Sequence, residues 1–228
     1  MKSNLKELFY NQLSKKTSKW SNYFDIYHRH FDKFLDQEIN LLEIGVANGG
    51  SLELWHTYFG DKCRIFGIDI DSNVLNLKFN FDVNISIGNQ KDNAFWEQYL
   101  HTVPYFDIVI DDGGHDMDDQ LTTLINIFPH LNDGGLLLIE DAHTSYWENF
   151  GGGLGNPNSF IEKSKGLIDF LHRQHIFNMS PSEFLISTFK DLFSVSFYNS
   201  VVVFEKKKYE QAFPIENFKN KQSLWQDY

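Results

Sequence analysis

The chain has 228 residues, of which 42% are hydrophobic and 22% are charged, a composition that favours one folded domain and excludes extensive disorder. Its 20 basic and 31 acidic residues give a net charge of −11, spread along the chain, which argues against nucleic acid or an anionic membrane as partner. Cys63 is the only cysteine, which excludes an internal disulfide and a cysteine-rich zinc site.

The longest apolar runs, such as residues 136–139 and 201–204, are far shorter than a signal-peptide core or a membrane span. We therefore predict a cytoplasmic protein.

Residues 1–39 are polar, with apolar side chains three to four positions apart, which predicts two helices forming an N-terminal cap. The apolar positions are Leu5, Leu8, Phe9, Leu13, Tyr23, Tyr27, Phe31 and Leu35. Tyr23, Tyr27 and His28 have two interpretations: a stripe packed into the core, which we favour, or a cover over a functional site.

From residue 40 onward, short apolar runs alternate with helical stretches, which predicts a parallel sheet with crossover helices. The predicted strands are 41–44, 64–68, 83–87, 106–110 and 136–139, with a break at Gly134 and Gly135 before the last of these. Helices are expected over 51–58, after Asp116, and from Ser159, where Ser159 and Glu162 form a capping-box pair.

The runs 192–197 and 201–205 are separated by three residues, too few for a crossover, so they must pair as an antiparallel hairpin. The predicted fold is therefore α/β: a Rossmann-like seven-stranded sheet, five parallel strands plus the C-terminal hairpin, with helices on both faces. We assign it to residues 40–206 and treat 207–228 as a C-terminal tail.

A glycine-rich turn follows the first strand, with Gly45 and Gly49 ahead of the helix that begins at Ser51. Asp69 ends the second strand, 20 positions after Gly49, a spacing at which a carboxylate can accept hydrogen bonds from ribose hydroxyls. Taken alone, the glycine-rich segment could be a simple tight turn without a ligand. Asp69, taken alone, could be an ordinary helix N-cap. Together they predict a ribose-bearing cofactor, either a dinucleotide or S-adenosyl-L-methionine.

Glu43 lies inside the turn motif, where a carboxylate repels a pyrophosphate but can pair with a cationic amino group. With the C-terminal hairpin, this pattern resembles the class I S-adenosyl-L-methionine-dependent methyltransferases. The resemblance implies that Glu43, Gly45 and Gly49, with Ser51, lie along the methionine and ribose, and that Asp69 holds the ribose hydroxyls. It also implies that Asn89 and Gln90 face the adenine. Ala47 stands where many members carry a glycine.

Carboxylates follow the fourth and fifth strands, at Asp111 and Asp112 and at Glu140 and Asp141. They should emerge together at the carboxyl edge of the sheet, where open α/β folds bind ligands. Such acids repel one another unless a cation joins them, and oxygen ligands from Asp112, Glu140 and Asp141 suit Mg²⁺. The alternative is that some are helix caps or contact the cofactor, and we assign Asp111 to the cofactor.

His115 lies three residues beyond Asp112, and a histidine there can accept a proton near neutral pH. His143, just beyond Asp141, competes for the same role, and we favour His115 as the general base.

Several motifs narrow the resemblance to the metal-dependent sugar O-methyltransferases of the macrocin and mycinamicin type. They are Asp-Asp-Gly-Gly-His at 111–115, Phe-Pro-His-Leu at 128–131, Ile-Glu-Asp-Ala-His-Thr-Ser-Tyr-Trp at 139–147, Phe-Gly-Gly at 150–152 and Phe-Tyr-Asn-Ser-Val at 197–201, with Lys19-Trp20 and residues 27–31 upstream. This similarity covers residues 17–207, and Gly114 departs from the usual serine. It implies that Asp112, Glu140 and Asp141 hold Mg²⁺ and that His115 is the base.

We therefore predict a Mg²⁺-dependent transfer of a methyl group from S-adenosyl-L-methionine to a hydroxyl of a sugar or glycosylated small molecule, whose vicinal hydroxyls chelate the ion. Residues 146–158, with Tyr146, Trp147 and Phe150 among glycines, are either a lid whose rings stack on the sugar or an ordinary surface loop. The alternatives are a nicotinamide-dependent oxidoreductase and a non-catalytic cofactor-binding descendant. A homo-oligomer and the identity of the acceptor stay open.

Overall fold

The structure of the chain, a computed structural model, describes residues 4–11, 13–178 and 180–215. Its strands are β1 Ile39–Ile44, β2 Cys63–Asp69, β3 Val83–Ile87, β4 Phe106–Asp111, β5 Leu131–Ile139, β6 Leu192–Tyr198 and β7 Val201–Lys206. Its α-helices are α1 Leu5–Asn11, α2 Tyr23–Phe31, α3 Gly50–Phe59, α4 Asn93–Leu100, α5 Met117–Ile127, α6 Phe160–Leu171 and α7 Glu183–Phe189.

The seven strands form one sheet in the order β3-β2-β1-β4-β5-β7-β6. Strands β1 to β5 pair in parallel, whereas β7 pairs antiparallel with both β5 and β6. The predicted fold class and C-terminal hairpin are therefore confirmed. The strand order reverses between β1 and β4, which opens a crevice at their carboxyl ends.

The central strands are buried on both faces, as expected for a parallel sheet covered by helices. On one face Leu41 and Ile108 pack with α1, α2 and α3; on the other, Leu42 and Val109 pack with α5 and α6. Full burial of such a side chain stabilises the fold by about 1.5–3 kcal/mol.

The N-terminal helices share the first of these cores. Tyr27 and Phe31 of α2 are fully buried and stack on each other, and both rings meet Trp55 of α3 edge-on. The two helices are where the sequence predicts them. The division into a cap over residues 1–39, a domain over 40–206 and a tail stays a prediction. Residues 207–215 carry no helix or strand, and 216–228 lie outside the described residues.

Strand β5 begins five residues earlier than predicted. Leu131 already pairs with Phe106, and the regular register resumes with Leu136 opposite Ile108, so Gly134 and Gly135 lie in an irregularity inside the strand and do not precede it. Gly134 has φ +82°, a backbone conformation that glycine adopts without steric cost.

At Ser159 only one of the two hydrogen bonds of the predicted capping box forms. The Ser159 hydroxyl accepts a hydrogen bond from the Glu162 N–H at 3.3 Å, but the Glu162 carboxylate pairs with Lys165 at 2.6 Å. A reciprocal capping box forms instead at the start of α5, between Asp116 and Asp119. Helices α4 and α7, of eight and seven residues, were not predicted from the sequence.

Among the described residues, no helix has the length and apolar character needed to cross a bilayer.

Candidate active site

The glycine turn after β1 brings the first strand against the end of β4. The Gly45 N–H donates to the Ile68 carbonyl at 2.8 Å, and its φ is +93°. A Cβ at Gly45 would lie 2.1 Å from the backbone oxygen of Asp112, so only glycine fits this position.

Asp69 fixes the same turn with its side chain. One carboxylate oxygen accepts from the Ala47 N–H and the other from the Asp71 N–H, each at 2.9 Å. Ala47 is held at φ +47°, the left-handed conformation that a glycine would adopt more readily. The N-cap alternative for Asp69 is wrong, because Asp71 caps the following 3₁₀ turn by accepting from the Asn73 N–H.

A cavity of about 390 Å³ opens beside this turn, and four of the predicted cofactor residues line it. Its lining includes Gly45, Asp69, Asn89 and Gln90, together with Asp112. We call it the donor cavity. A smaller cavity of about 130 Å³ continues past Gly45 to Ser51, and its outer wall is formed by residues 16–18.

Gly49 and Asp111 are not among the residues that line the donor cavity. Gly49 has φ +76°, and a Cβ at this position would lie 2.7 Å from the Phe79 ring. The Asp111 carboxylate is 1% exposed and accepts from the Gln90 amide and the Gly113 N–H at 3.1 Å. Burial raises the pKa of Asp111 to about 6. These bonds are to the protein and position Gln90, and the predicted contact of Asp111 with the cofactor stays a prediction.

Glu43 is fully buried on β1. The Lys19 ammonium lies 3.6 Å from its Oε1, and the side chains of Ser51 and Trp55 also interact with the carboxylate. Burial raises the pKa of Glu43 to about 7, although Lys19 opposes the shift.

The acids after β4 and β5 meet at the carboxyl edge of the sheet, because the Glu140 N–H donates to the Asp111 carbonyl at 2.9 Å. Nε2 of His115 lies 3.8 Å from Oδ1 of Asp112 and 3.5 Å from Oδ2 of Asp141. These three residues offer ligand atoms within 4.8 Å of one another, close enough to share one metal ion.

Backbone strain marks the same corner of the molecule. His115 has φ +58° and Asp141 φ +50°, both unusual for residues with a side chain. The Thr144 hydroxyl holds the His115 carbonyl at 2.8 Å, which fixes the two strained segments to each other.

Glu140 lines the same cavity as these three residues but is not part of the group whose ligand atoms lie within 4.8 Å. One of its carboxylate oxygens accepts from the Lys19 ammonium at 2.8 Å, and the other accepts from the Tyr27 hydroxyl. Burial raises the pKa of Glu140 to about 8, with Lys19 opposing the shift. Its predicted role as a metal ligand stays a prediction.

Helix α2 contacts Asp141 and Glu140 through its tyrosine hydroxyls. The Tyr23 hydroxyl donates to Asp141 Oδ1 at 2.6 Å, and the Asp141 N–H donates back to the tyrosine oxygen at 3.0 Å. The rings of Tyr23 and Tyr27 are buried in the core, whereas their hydroxyls contact Asp141 and Glu140. These two tyrosines therefore both pack in the core and cover the site. His28 is instead exposed and pairs with Asp32 at 2.9 Å.

The two candidate bases line different cavities. His115 opens into a cavity of about 480 Å³ that Asp112, Glu140 and Asp141 also line, which we call the acceptor cavity. His143 lines a cavity of about 160 Å³, with its ring edge-on to Trp20 and Trp147. The arrangement favours His115.

The glycine-rich loop is compact. The Gly152 N–H donates to the Trp147 carbonyl at 3.0 Å and the Gly153 N–H to the Ser145 carbonyl at 2.9 Å. Trp147 is 48% exposed beside the His143 cavity, whereas Phe150 packs against the core.

Lys19 is a residue of the site that was not predicted from the sequence. Its ammonium lies among Glu43, Asp112 and Glu140 although it precedes Asp112 by 93 residues, and no local pattern around it signals this position. The only signal was the resemblance, which included Lys19-Trp20 among its motifs.

The strand order, the antiparallel β7, the glycine turn after β1 and the acid at the end of β2 together define the class I S-adenosyl-L-methionine-dependent methyltransferase fold. No family model matches the chain.

Within that class, the chain is homologous to sugar O-methyltransferases of the macrocin and mycinamicin type. It is 32% identical over 199 residues to mycinamicin VI 2''-O-methyltransferase of Micromonospora griseorubida, covering 82% of this chain and 48% of the relative. It is also 32% identical over 176 residues to demethylmacrocin O-methyltransferase of Streptomyces fradiae, covering 70% and 43%.

A solved structure of the MycE methyltransferase with Mg, SAH and mycinamycin VI aligns with a TM-score of 0.79 and 29% identity, covering 96% of this chain and 57% of that one. The chain thus spans about half the length of the relatives it matches. These relatives are methyltransferases, which gives no support to the oxidoreductase alternative.

Proposed function

We propose that the chain is a Mg²⁺-dependent O-methyltransferase that moves the methyl group of S-adenosyl-L-methionine to a sugar hydroxyl of a glycosylated small molecule. The observation that carries the proposal is the position of Asp112, which lines the donor cavity, the acceptor cavity and the small cavity between them. A group bound in one cavity is therefore adjacent to a group bound in the other.

The donor cavity suits the adenosine of S-adenosyl-L-methionine. Asp69 keeps a carboxylate at the cavity wall, where ribose hydroxyls can donate to it, and Asn89 and Gln90 lie beyond it. The small cavity along Gly45 and Ser51 is placed for the methionine portion, with Glu43 buried behind it.

The residues at the acceptor cavity fit a divalent ion. Asp112 and Asp141 supply the carboxylate oxygens that Mg²⁺ prefers, and both side chains are about one-quarter exposed, which leaves them open to an ion and a substrate. Bound Mg²⁺ lowers the pKa of a hydroxyl that coordinates it.

His115 is the proposed general base. Its Nε2 lies within 4 Å of both carboxylates, so it can accept the proton of a hydroxyl positioned there, and the carboxylates stabilise the imidazolium that results. The deprotonated oxygen then attacks the sulfonium methyl in line with the departing sulfur. The walls of the two cavities would accelerate this step mainly by holding the oxygen, the methyl carbon and the sulfur in line.

The proposed acceptor is a sugar presented on a larger apolar group. Trp20 and Trp147 are half-exposed beside the acids, and such rings stack on the apolar face of a sugar. The structure of MycE holds mycinamycin VI, a finding that supports a glycosylated macrolide as the acceptor class. The cytoplasmic location, the absence of nucleic acid and membrane partners, and the oligomeric state stay predictions.

The test is methyl transfer from labelled S-adenosyl-L-methionine to 6-deoxyhexose glycosides with vicinal hydroxyls, after metal removal and after Mg²⁺ is restored. We expect transfer only with Mg²⁺. Equal transfer after thorough metal removal would refute the role of the ion. Thermal shifts with S-adenosylhomocysteine and with NAD test the donor separately, because only a ligand of the native state raises the melting temperature.

A further inference from the structure

The segment between α1 and α2, residues 14–20, crosses the carboxyl edge of the sheet, and we call it the strap. Its first residues are held by α3: the Glu53 carboxylate accepts from the Ser14 and Lys15 N–H groups, both at 2.9 Å. A Cβ at Gly50 would lie 2.7 Å from the Lys16 carbonyl oxygen, so the strap lies directly on the start of α3.

The strap places a lysine inside the acid cluster. The Lys19 ammonium donates to Asp112 Oδ2 at 2.7 Å and to Glu140 Oε2 at 2.8 Å, and its side chain is only 1% exposed. Among the ion pairs of the described residues, no other lysine or arginine meets these carboxylates.

The two oxygens that Lys19 occupies belong to two of the three predicted magnesium ligands. The remaining Asp112 oxygen, Oδ1, is the one that lies toward His115, on the side where Asp141 completes the group able to share an ion. A divalent ion at that group would thus share the carboxylate of Asp112 with the ammonium.

We propose that Lys19 is a resident counter-ion of the metal site, an ammonium that shares Asp112 and Glu140 with the divalent ion and weakens the binding of that ion. This inference rests on the proposed function, since it requires the metal site. Like charges a few ångströms apart repel, so removing the positive charge of Lys19 should tighten the binding of a dication. A lysine that only anchored the strap would have no such effect.

The probe is Mn²⁺, titrated into the whole protein at mildly alkaline pH and followed by electron paramagnetic resonance. Lys19→Met removes the charge, Lys19→Arg keeps it, and Lys33→Met removes a lysine that pairs with Glu205 at 3.1 Å, away from the acids. We expect Lys19→Met to lower the Kd for Mn²⁺ by about tenfold or more. Lys19→Arg should stay within about threefold of the wild type, and Lys33→Met should not change the Kd.

The outcomes separate the two proposals. Absence of Mn²⁺ binding by the wild type removes the metal site and with it the proposed function. Binding by the wild type, with equal or weaker binding by folded Lys19→Met, overturns the counter-ion role alone and leaves the metal site in place. If Lys19→Met does not fold, Lys19→Gln is measured against the same criteria, because its amide still donates hydrogen bonds to the acids without carrying a charge.

Discussion

The donor and acceptor sides of this site are built in different ways. Most of the donor side comes from residues 43–90, and much of it is backbone: a glycine turn, a left-handed Ala47, and Asp69 bonded to main-chain N–H groups. The acceptor side is made of side chains from separate segments, including the strap, α2 and the ends of β4 and β5.

This contrast shows that the two sides depend on different parts of the fold. The glycine turn follows directly on strand β1 and precedes helix α3, whereas Tyr23 reaches Asp141 across 118 residues and Lys19 reaches Glu140 across 121. Substitutions on the acceptor side should therefore change chemistry and metal binding while leaving donor binding intact.

The largest effect is expected from Asp112→Asn. Loss of the carboxylate that lines all three cavities should lower Mg²⁺-dependent transfer by about 10³-fold or more. Calorimetry should show S-adenosylhomocysteine binding largely unchanged. Asp61→Asn, at a fully exposed side chain, is the control. Equal losses of donor affinity and turnover would contradict a separation of the two sides.

His115→Gln should lower kcat by ~10²–10⁴-fold, the usual contribution of a general base. His143→Gln is the matched variant, and because His143 lines the other cavity we expect it to retain kcat within about tenfold. Single-turnover rates at saturating donor measure both. A larger loss for His143→Gln would reverse the assignment of the base.

On the donor side, Gly45→Ala should destabilise the protein by about 3 kcal/mol or more, because the added methyl group meets the Asp112 backbone and φ is positive. Binding of S-adenosylhomocysteine should fall with it. Gly166→Ala is the control: its Cβ meets no atom within 4 Å and it lies in α6, so alanine should be neutral or stabilising by up to about 1 kcal/mol. Urea unfolding measures both, and a tolerated Gly45→Ala would show that the turn can relax.

Tyr27→Phe should cost about 1–3 kcal/mol of unfolding free energy, since it leaves one oxygen of buried Glu140 without its donor. Tyr58→Phe removes a comparable hydroxyl from Asp32, which water can reach, and should cost less than about 1 kcal/mol. The same unfolding titration distinguishes them. Similar costs for the two variants would mean that the hydroxyl of Tyr27 is replaced by water.

The smallest effect concerns pH. The pKa of Glu43 is raised to about 7 and that of Glu140 to about 8, so in the metal-free protein these two carboxylates bind more protons in the folded state than in the unfolded state between about pH 4.5 and pH 8. Their contribution to stability is present below about pH 4.5 and is lost as the pH rises through about 7 to 8. The buried His30, whose pKa is lowered, acts in the opposite direction.

Glu43→Gln removes the contribution of Glu43 to the pH dependence of stability. The melting temperature of this variant should fall less steeply between about pH 5 and pH 8 than that of the wild type, by a few degrees over the interval. Parallel curves for the two proteins would show that Glu43 does not take up a proton on folding.

The sheet could be predicted from the sequence because buried parallel strands are continuous apolar runs and three residues cannot form a crossover. The donor turn could also be predicted, because Gly45 and Asp69 lie at the ends of two consecutive apolar runs. The early start of β5 could not, because glycines normally signal a break and only the pairing of Leu131 with Phe106 shows otherwise.

The acceptor side could be predicted only in part. Asp112, His115 and Asp141 follow strand ends that the topology makes neighbours, so their proximity follows from the order of the strands. The partners of Glu140 depend on how α2 and the strap pack across the sheet edge, which no local pattern in residues 14–27 records. The bonds of Glu140 to Lys19 and Tyr27 could therefore not be predicted, while its role as a metal ligand stays a prediction.

The tight turn between β6 and β7 has a consequence for synthesis of the chain. The Ser200 carbonyl accepts from the Ala142 N–H at 2.9 Å, and its hydroxyl lies 2.8 Å from that of Tyr23, so this late turn touches both the loop after β5 and helix α2. A ribosome must deliver the final hairpin before Asp141 acquires its complete surroundings. A nascent chain that stops short of residue 200 lacks the contacts of this turn with the loop after β5 and with helix α2.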